Sequence, residues 1–158
     1  MTSASTAKLD AENAIRRLIS AYCDAVNRLD ADAAGKLFAP DATVRIADFP
    51  ELSGRDAITE GMRASFEAAG FLRQQCDAML IDIDGDQAKA RLSVFEVNRK
   101  PGSDEVGLIF GFYEDEYVLL ESKWRFHRRR YTMQFRALLP ASKIQEVPGF
   151  TPKDAFEA

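Results

Sequence analysis

The sequence predicts an α+β fold in which helices come first and then cover one face of a curled, mainly antiparallel sheet. Three observations predict it. Residues 106–138, VGLIFGFYEDEYVLLESKWRFHRRRYTMQFRAL, are dense in Val, Ile, Phe, Tyr and Trp, which suit a pleated, half-buried surface. They read as two long strands joined at Glu121-Ser122-Lys123, and a hairpin of that length must twist and offer a concave side. Ile15, Leu18, Ile19, Tyr22, Val26 and Leu29 form an apolar stripe at helical spacing, so an early helix lies on something. Finally, helical segments dominate the first half of the chain and strands the second, the α+β order with helices on one face.

The elements follow in order. Residues 1–9 are small and polar and are expected to be mobile. Asp10 is placed to cap a helix over 11–29. Asp30 follows, and 31–38 reads as a short second helix that Pro40 ends, because proline disfavours helical geometry in the residue before it. A short strand is expected over 42–46 and a loop over 48–54. A third helix covers 55–69, with Ile58, Met62 and Phe66 on one face. Gly70 ends it, and 71–83 and 87–98 read as strands joined by the turn Asp84-Gly85-Asp86. Met79, Ile81 and Ile83 alternate with polar neighbours on the first. Ala88, Ala90, Leu92 and Val94 share a face on the second. Residues 99–105 connect to the long hairpin. The domain is expected to span 10–138, and 139–158 to form a C-terminal extension that drapes over the surface or joins a subunit contact.

A chain of 158 residues, 46% hydrophobic and 29% charged, is enough for one core and too little for two domains. A net charge of -4 argues against a general affinity for nucleic acid or anionic membrane. No apolar run approaches the roughly 20 residues of a spanning helix, and the first residues lack a secretion signal. Cys23 and Cys76 show no metal or redox spacing and read as reduced thiols of a cytoplasmic protein. One histidine and scattered carboxylates assemble no metal set, and no cofactor motif is present.

The segments IRRLISAYCDAVNRLDADAAGKLFAPDATV, SGRDAI, IDIDGDQAKA, YEDEY and KWRFHRRR resemble, in order and spacing, the nuclear-transport-factor-2-like superfamily, most closely its SnoaL-like branch. The resemblance covers residues 10–138. It implies a cone-like α+β barrel of cystatin-like topology, with a curved sheet round a long helix and a pocket between them. It also implies homodimers joined through the outer sheet face. Many such proteins are cofactor-free lyases, isomerases or hydratases on small apolar, aromatic or polyketide-like molecules. Others are non-catalytic, and the small subunits of ring-hydroxylating dioxygenases share the fold. Fold alone does not choose among these.

The resemblance also suggests roles. Tyr22 matches the helix position where ketosteroid isomerases place an oxyanion-stabilising tyrosine; otherwise it is a core tyrosine. The isomerase's base falls near Ile46, which cannot accept a proton. Asp30 matches an aspartate that orients a histidine base in lindane dehydrochlorinase; otherwise it is a helix cap. The place of that histidine reads Gln74-Gln75-Cys76, and Gln75 is a candidate to bind a ligand carbonyl or hydroxyl. Val26 and Asn27 replace the tyrosine and aspartate of scytalone dehydratase. Catalysis would therefore rest on Asp30, or on Asp115 if inward, moving a proton while Tyr22 steadies oxygen charge.

Strand parity makes Trp124 and Phe126 an inward pair and turns His127 outward with Arg125 and Arg129, unless a bulge shifts the register. Tyr113 lies near a polar pocket position of the relatives. Asp115, held inward against aromatics, would have a raised pKa; paired to the arginines opposite, it would not. Arg128, if inward, could clamp a substrate carboxylate. The candidate site is therefore Asp30 and Tyr22 as catalytic residues, with Gln75, Tyr113, Asp115, Arg128 and Trp124 contacting the substrate.

Overall fold

The computed structural model describes residues 3–143. Helix α1 spans Ser3–Asn27. It starts well before Ala11 because Ala4, Ala7, Lys8 and Leu9 are good helix formers, which leaves Asp10 inside the helix rather than at its cap. Ile15, Leu18, Ile19, Tyr22 and Val26 are all buried, as the stripe requires. Each such apolar side chain contributes roughly 1.5–3 kcal/mol on full burial. Leu29 takes a left-handed backbone (φ 57°) and turns the chain. Asp30 then caps α2 (Ala31–Gly35) by accepting the Ala33 N–H at 2.9 Å.

Six strands follow with one more helix: β1 (Phe38–Ile46), β2 (Leu52–Ser53), α3 (Arg55–Glu67), β3 (Phe71–Asp84), β4 (Gln87–Arg99), β5 (Glu105–Leu120) and β6 (Lys123–Pro140). A single turn of 3₁₀ helix closes the described chain at Ala141–Lys143. The expected positions of α3, β3, β4 and the long hairpin agree with these bounds to within a few residues. The sheet order is β2-β1-β6-β5-β4-β3, with β2 and β3 at its two edges among the described residues. Every pair is antiparallel except β1 with β6. The fold is thus α+β, a curved, open sheet of the nuclear-transport-factor-2 and cystatin-like kind.

Two further features differ from the expectation. β2 lies in the stretch read as a loop. β1 begins at Phe38 and pairs in parallel with β6, a contact between distant segments that no local pattern announces. The C-terminal extension, and its expected role, lies outside the described residues from position 144 onward.

Irregularities curl the sheet. The register shifts between Asp77 and Leu80 on β3, and twice along β5–β6, at Phe110/Gly111 and at Glu116/Tyr117. Each shift adds a residue to one strand and bends it locally. At Gly111 a Cβ atom would collide with the Thr132 carbonyl and the Tyr131 ring, so glycine lets Tyr131 cross over β5. Helices α1 and α3 lie on the concave side with the core between, and among the described residues no helix covers the convex side. Among the described residues no helix is long and apolar enough to cross a membrane.

Candidate functional site

A hollow of about 280 Å³ opens between α1, α3 and the concave sheet. Its walls are apolar: Tyr22 and Val26 from α1, Phe38 and Ile46 from β1, Met62 and Phe66 from α3. An apolar cavity of about 150 Å³ already accepts a benzene ring, so this one has room for a substituted one- or two-ring molecule.

Four polar side chains, Gln74, Glu96, Tyr113 and Tyr131, interrupt the apolar wall on the sheet side. They form a connected row. Asn27 of α1 clamps the Gln74 backbone twice, donating to its carbonyl at 3.0 Å and accepting its N–H at 2.6 Å. The Gln74 side chain points inward and lines the hollow. Gln74 Nε2 donates to Glu96 Oε2 at 3.1 Å, and Asn98 Nδ2 donates to Glu96 Oε1 at 2.7 Å. The carboxylate is thereby fixed from both sides, with one lone pair on each oxygen left for a ligand. Tyr113 donates a long bond of 3.4 Å to Gln74 Oε1, one that a better acceptor would displace. Burial, with the Glu96 charge adding to it, pushes the Tyr131 phenol up to about 12. Tyr131 and Glu96 therefore act on one another across the same hollow.

Beneath Tyr22 and Tyr113 lies a buried ion pair. Arg129 donates Nε to Asp115 Oδ1 at 2.8 Å and Nη2 to Asp115 Oδ2 at 2.6 Å, and both side chains are wholly inaccessible to solvent. Tyr117 also donates to Asp115, at 2.8 Å. The guanidinium carbon packs 4.3 Å from the Tyr22 ring centre, 3.9 Å from that of Tyr113 and 4.2 Å from that of Phe126. Cation–π attraction of this kind replaces the hydrogen bond that the buried Nη1 lacks. Burial works against the charge on Arg129, but the Asp115 carboxylate outweighs it and holds the group firmly protonated. Burial raises the Tyr22 phenol, and the nearby Arg129 cation partly offsets the rise. Burial raises Tyr113 further.

The structure sorts the candidates from the sequence. Tyr22 and Tyr113 line the hollow. Asp30 lies outside it, capping α2 and paired to Arg28 at 3.0 Å on a surface depression. Gln75 is exposed and donates to Asp77 at 2.7 Å, whereas its neighbour Gln74 occupies the inner position. Asp115 is inward but both its oxygens are engaged, and it lies under the lining rather than in it. Trp124 is inward and buried among the core residues near the hairpin end, away from the hollow.

The parity reading of β6 needs correction. Tyr117 pairs with Phe126 and Glu116 with Arg128, so His127 is the extra residue of a bulge. Beyond it the faces exchange. Arg129, expected outward, is 1% exposed, while Arg128 faces out beside Glu116 and cannot clamp a ligand in the hollow. His127 itself is half-exposed, its Nδ1 3.6 Å from Asp41.

Glu96, Gln74 and Tyr131 were not singled out from sequence. A signal existed for Glu96: the face carrying Ala88, Ala90, Leu92 and Val94 continues, two residues on, through Glu96 to Asn98. Among the described residues no group of three or more His, Cys, Asp and Glu side chains is placed to hold a metal ion.

The family model described as a SnoaL-like domain matches residues 7–130. The chain belongs to that family. No curated protein matches the SnoaL-like sequence. Among solved structures it is similar to a proposed scytalone dehydratase from Novosphingobium aromaticivorans, at 22% identity over 84% of this chain and 90% of that one, with a TM-score of 0.79. It is similar to a type 2 hexachlorocyclohexane dehydrochlorinase, LinA, at 16% identity over 90% and 97% of the two chains, TM-score 0.81. It also resembles a protein from Novosphingobium aromaticivorans described as NTF2-like with a cystatin-like fold, at 23% identity over 83% and 86%, TM-score 0.71. At these identities the likeness is one of fold. A SnoaL-like chain with a hollow of this kind is of a piece with small-molecule binding.

Proposed function

We propose that this SnoaL-like protein is a cofactor-free lyase, isomerase or hydratase that moves a proton on a small aromatic or polyketide-like molecule, with Glu96 as the base. The supporting observation is that Glu96 and Tyr131 project into one apolar hollow, Glu96 steered by two amide donors. Glu96 withdraws a proton from a carbon beside a carbonyl, or from a ring hydroxyl. Tyr131 and Tyr113 hold the oxygen on which negative charge grows, and Tyr22 packs against the ring with Arg129 behind it. Asp30, paired outside the hollow, supports the fold of α2 instead.

A non-catalytic ligand-binding protein is the second reading. It is favoured by Gln74 at the inner position near which the dehydrochlorinase-type histidine would stand. A third, the small subunit of a ring-hydroxylating dioxygenase, predicts a chain that needs a larger partner. As for assembly, we propose a homodimer through the convex face of the sheet, where Phe95, Phe110 and Phe135 stack in a cross-strand row.

Phenols, cyclic ketones and polyketide-like aromatics are to be incubated with the protein and followed by mass spectrometry and ligand-detected NMR. Turnover by the wild type should fall about 10²–10⁴-fold in Glu96→Gln, with binding kept. Equal turnover by that variant rejects Glu96 as base. Binding without any chemical change across the panel supports the second reading.

A further inference from the structure

The fold places two thiols that the hollow does not use against one another. Cys23 projects from α1 and Cys76 from β3, an edge strand of the sheet. The two thiols lie close enough for each to shift the ionisation of the other. Cys76 is 9% exposed, and Cys23 is half-buried. Both line a depression of about 310 Å³ on the flank of the molecule, together with Met79 and the polar Asn27 and Gln75. Small solutes therefore reach the pair without entering the central hollow. One helical turn along, Asn27 and Gln74 already tie the same two elements together. Cys23 and Asn27 share a helix face, and Cys76 and Gln74 a strand face, so the two contacts run side by side.

The pair is unequal. Interaction with the Cys76 thiol favours the thiolate of Cys23 and lowers its pKa, while the same interaction, followed by burial, raises Cys76. A thiol that ionises more readily and is more accessible is the one that attacks an oxidant. Its buried neighbour is then in place to resolve the product.

We propose that Cys23 and Cys76 form a reversible, intramolecular disulfide on exposure to hydrogen peroxide, fastening α1 to β3 beside the wall of the hollow. The Cys23 thiolate attacks one peroxide oxygen. The O–O bond breaks, hydroxide leaves and takes a proton, and Cys23 becomes a sulfenic acid. Cys76 sulfur then attacks that sulfur, the S–OH bond breaks, and water leaves with the Cys76 proton. Two thiols are oxidised by two electrons in all, and one peroxide is reduced to two waters. A small thiol reverses the step by exchange. Closure ties together two elements far apart in the chain, which restricts the unfolded state. It also fixes the strand that carries Gln74, so oxidation couples to the hollow.

The reduced full-length protein is treated with stoichiometric hydrogen peroxide and assayed by intact mass, free-thiol titration and thermal melting. The expected product has lost two hydrogen atoms, has no free thiol, remains a single chain on a non-reducing gel and melts about 5–10 °C higher. Dithiothreitol should restore the original mass and melting point. Cys76→Ser should stop at a sulfenic acid on Cys23 that dimedone traps, and Cys23→Ser should react at least about tenfold more slowly. The wild-type mass measurement stands even if a variant fails to fold. Oxygen added without loss of hydrogen, a disulfide only between chains, or thiols unchanged by peroxide would each overturn the proposal.

Discussion

Arg129 is the residue on which the interior depends most. A guanidinium has no protonation state without charge at ordinary pH, so its burial under three aromatic rings requires a permanent partner. Asp115 supplies it in a two-bond fork, and Tyr117 fills a further lone pair of the carboxylate. Removing one member of such a pair leaves the other charge buried and unpaired, which costs about 3–5 kcal/mol, whereas replacing both by apolar groups of similar size is often nearly neutral. Asp115→Asn should therefore lower unfolding free energy by that amount. The double variant Asp115→Leu with Arg129→Met should recover most of the loss. Urea titrations of wild type, both single variants and the double variant give the coupling directly. A double variant as unstable as the sum of the singles would show that the pair acts through shape and not charge.

At the scale of elements, the convex face of the sheet shows what the long strands have left unburied. Its register sets charged rows beside apolar ones. Lys89, Glu116 and Arg128 align across three strands, as do Arg91, Glu114 and Arg130, with ion pairs at 3.5 Å for Lys89–Glu116 and 3.1 Å for Arg91–Glu114. Further along, Phe95, Phe110 and Phe135 stack with ring centres 4.8 and 5.9 Å apart and are 36, 44 and 55% exposed. An apolar row rimmed by charge is what a self-complementary contact needs. Phe110→Glu should convert the proposed dimer to monomer at micromolar concentration with the melting curve of the monomer still cooperative. Sedimentation velocity checks it, and a wild type that is already monomeric at high concentration removes the dimer.

The same strands show what could be read in advance. Tyr22 was legible because a helical stripe is local and redundant: four flanking apolar residues, Ile15, Leu18, Ile19 and Val26, vote for its face. The β3–β4 hairpin was legible from Asp84-Gly85-Asp86, where Gly85 indeed takes a positive φ of 57°. The face of Arg129 was not, because a single extra residue at His127 exchanges inside and outside for all that follows on β6. Gln74 and Gln75 are chemically identical; Gln74 shares the inner face of β3 with Leu72 and Cys76, and Asn27, forty-seven positions away, holds its backbone there. The parallel pairing of β1 with β6 joins the two ends of the fold and has no local signature.

For the whole molecule, all four tyrosines of the chain, Tyr22, Tyr113, Tyr117 and Tyr131, are buried. Burial raises every one of their phenols above the ordinary value, and the Asp115 carboxylate adds to the rise at Tyr117. In the unfolded chain each phenol ionises near pH 10. Between that pH and the folded-state value, which is about 12 for Tyr131, the native protein holds protons that the unfolded chain has released. Stability therefore falls as pH rises through this window, and it is unaffected by these groups below it. The fold should behave as a cooperative alkaline switch. Phenolate absorbance should stay flat through pH 10, where free tyrosine would be half ionised, and then rise together with the loss of far-ultraviolet circular dichroism. Tyr117→Phe should weaken the pH dependence of the denaturation midpoint above pH 10 by removing one of the four contributors. Phenolate signal from two or more tyrosines near pH 10 in a protein with native circular dichroism would mean that the aromatic interior is wet, and the hollow wider than its walls indicate.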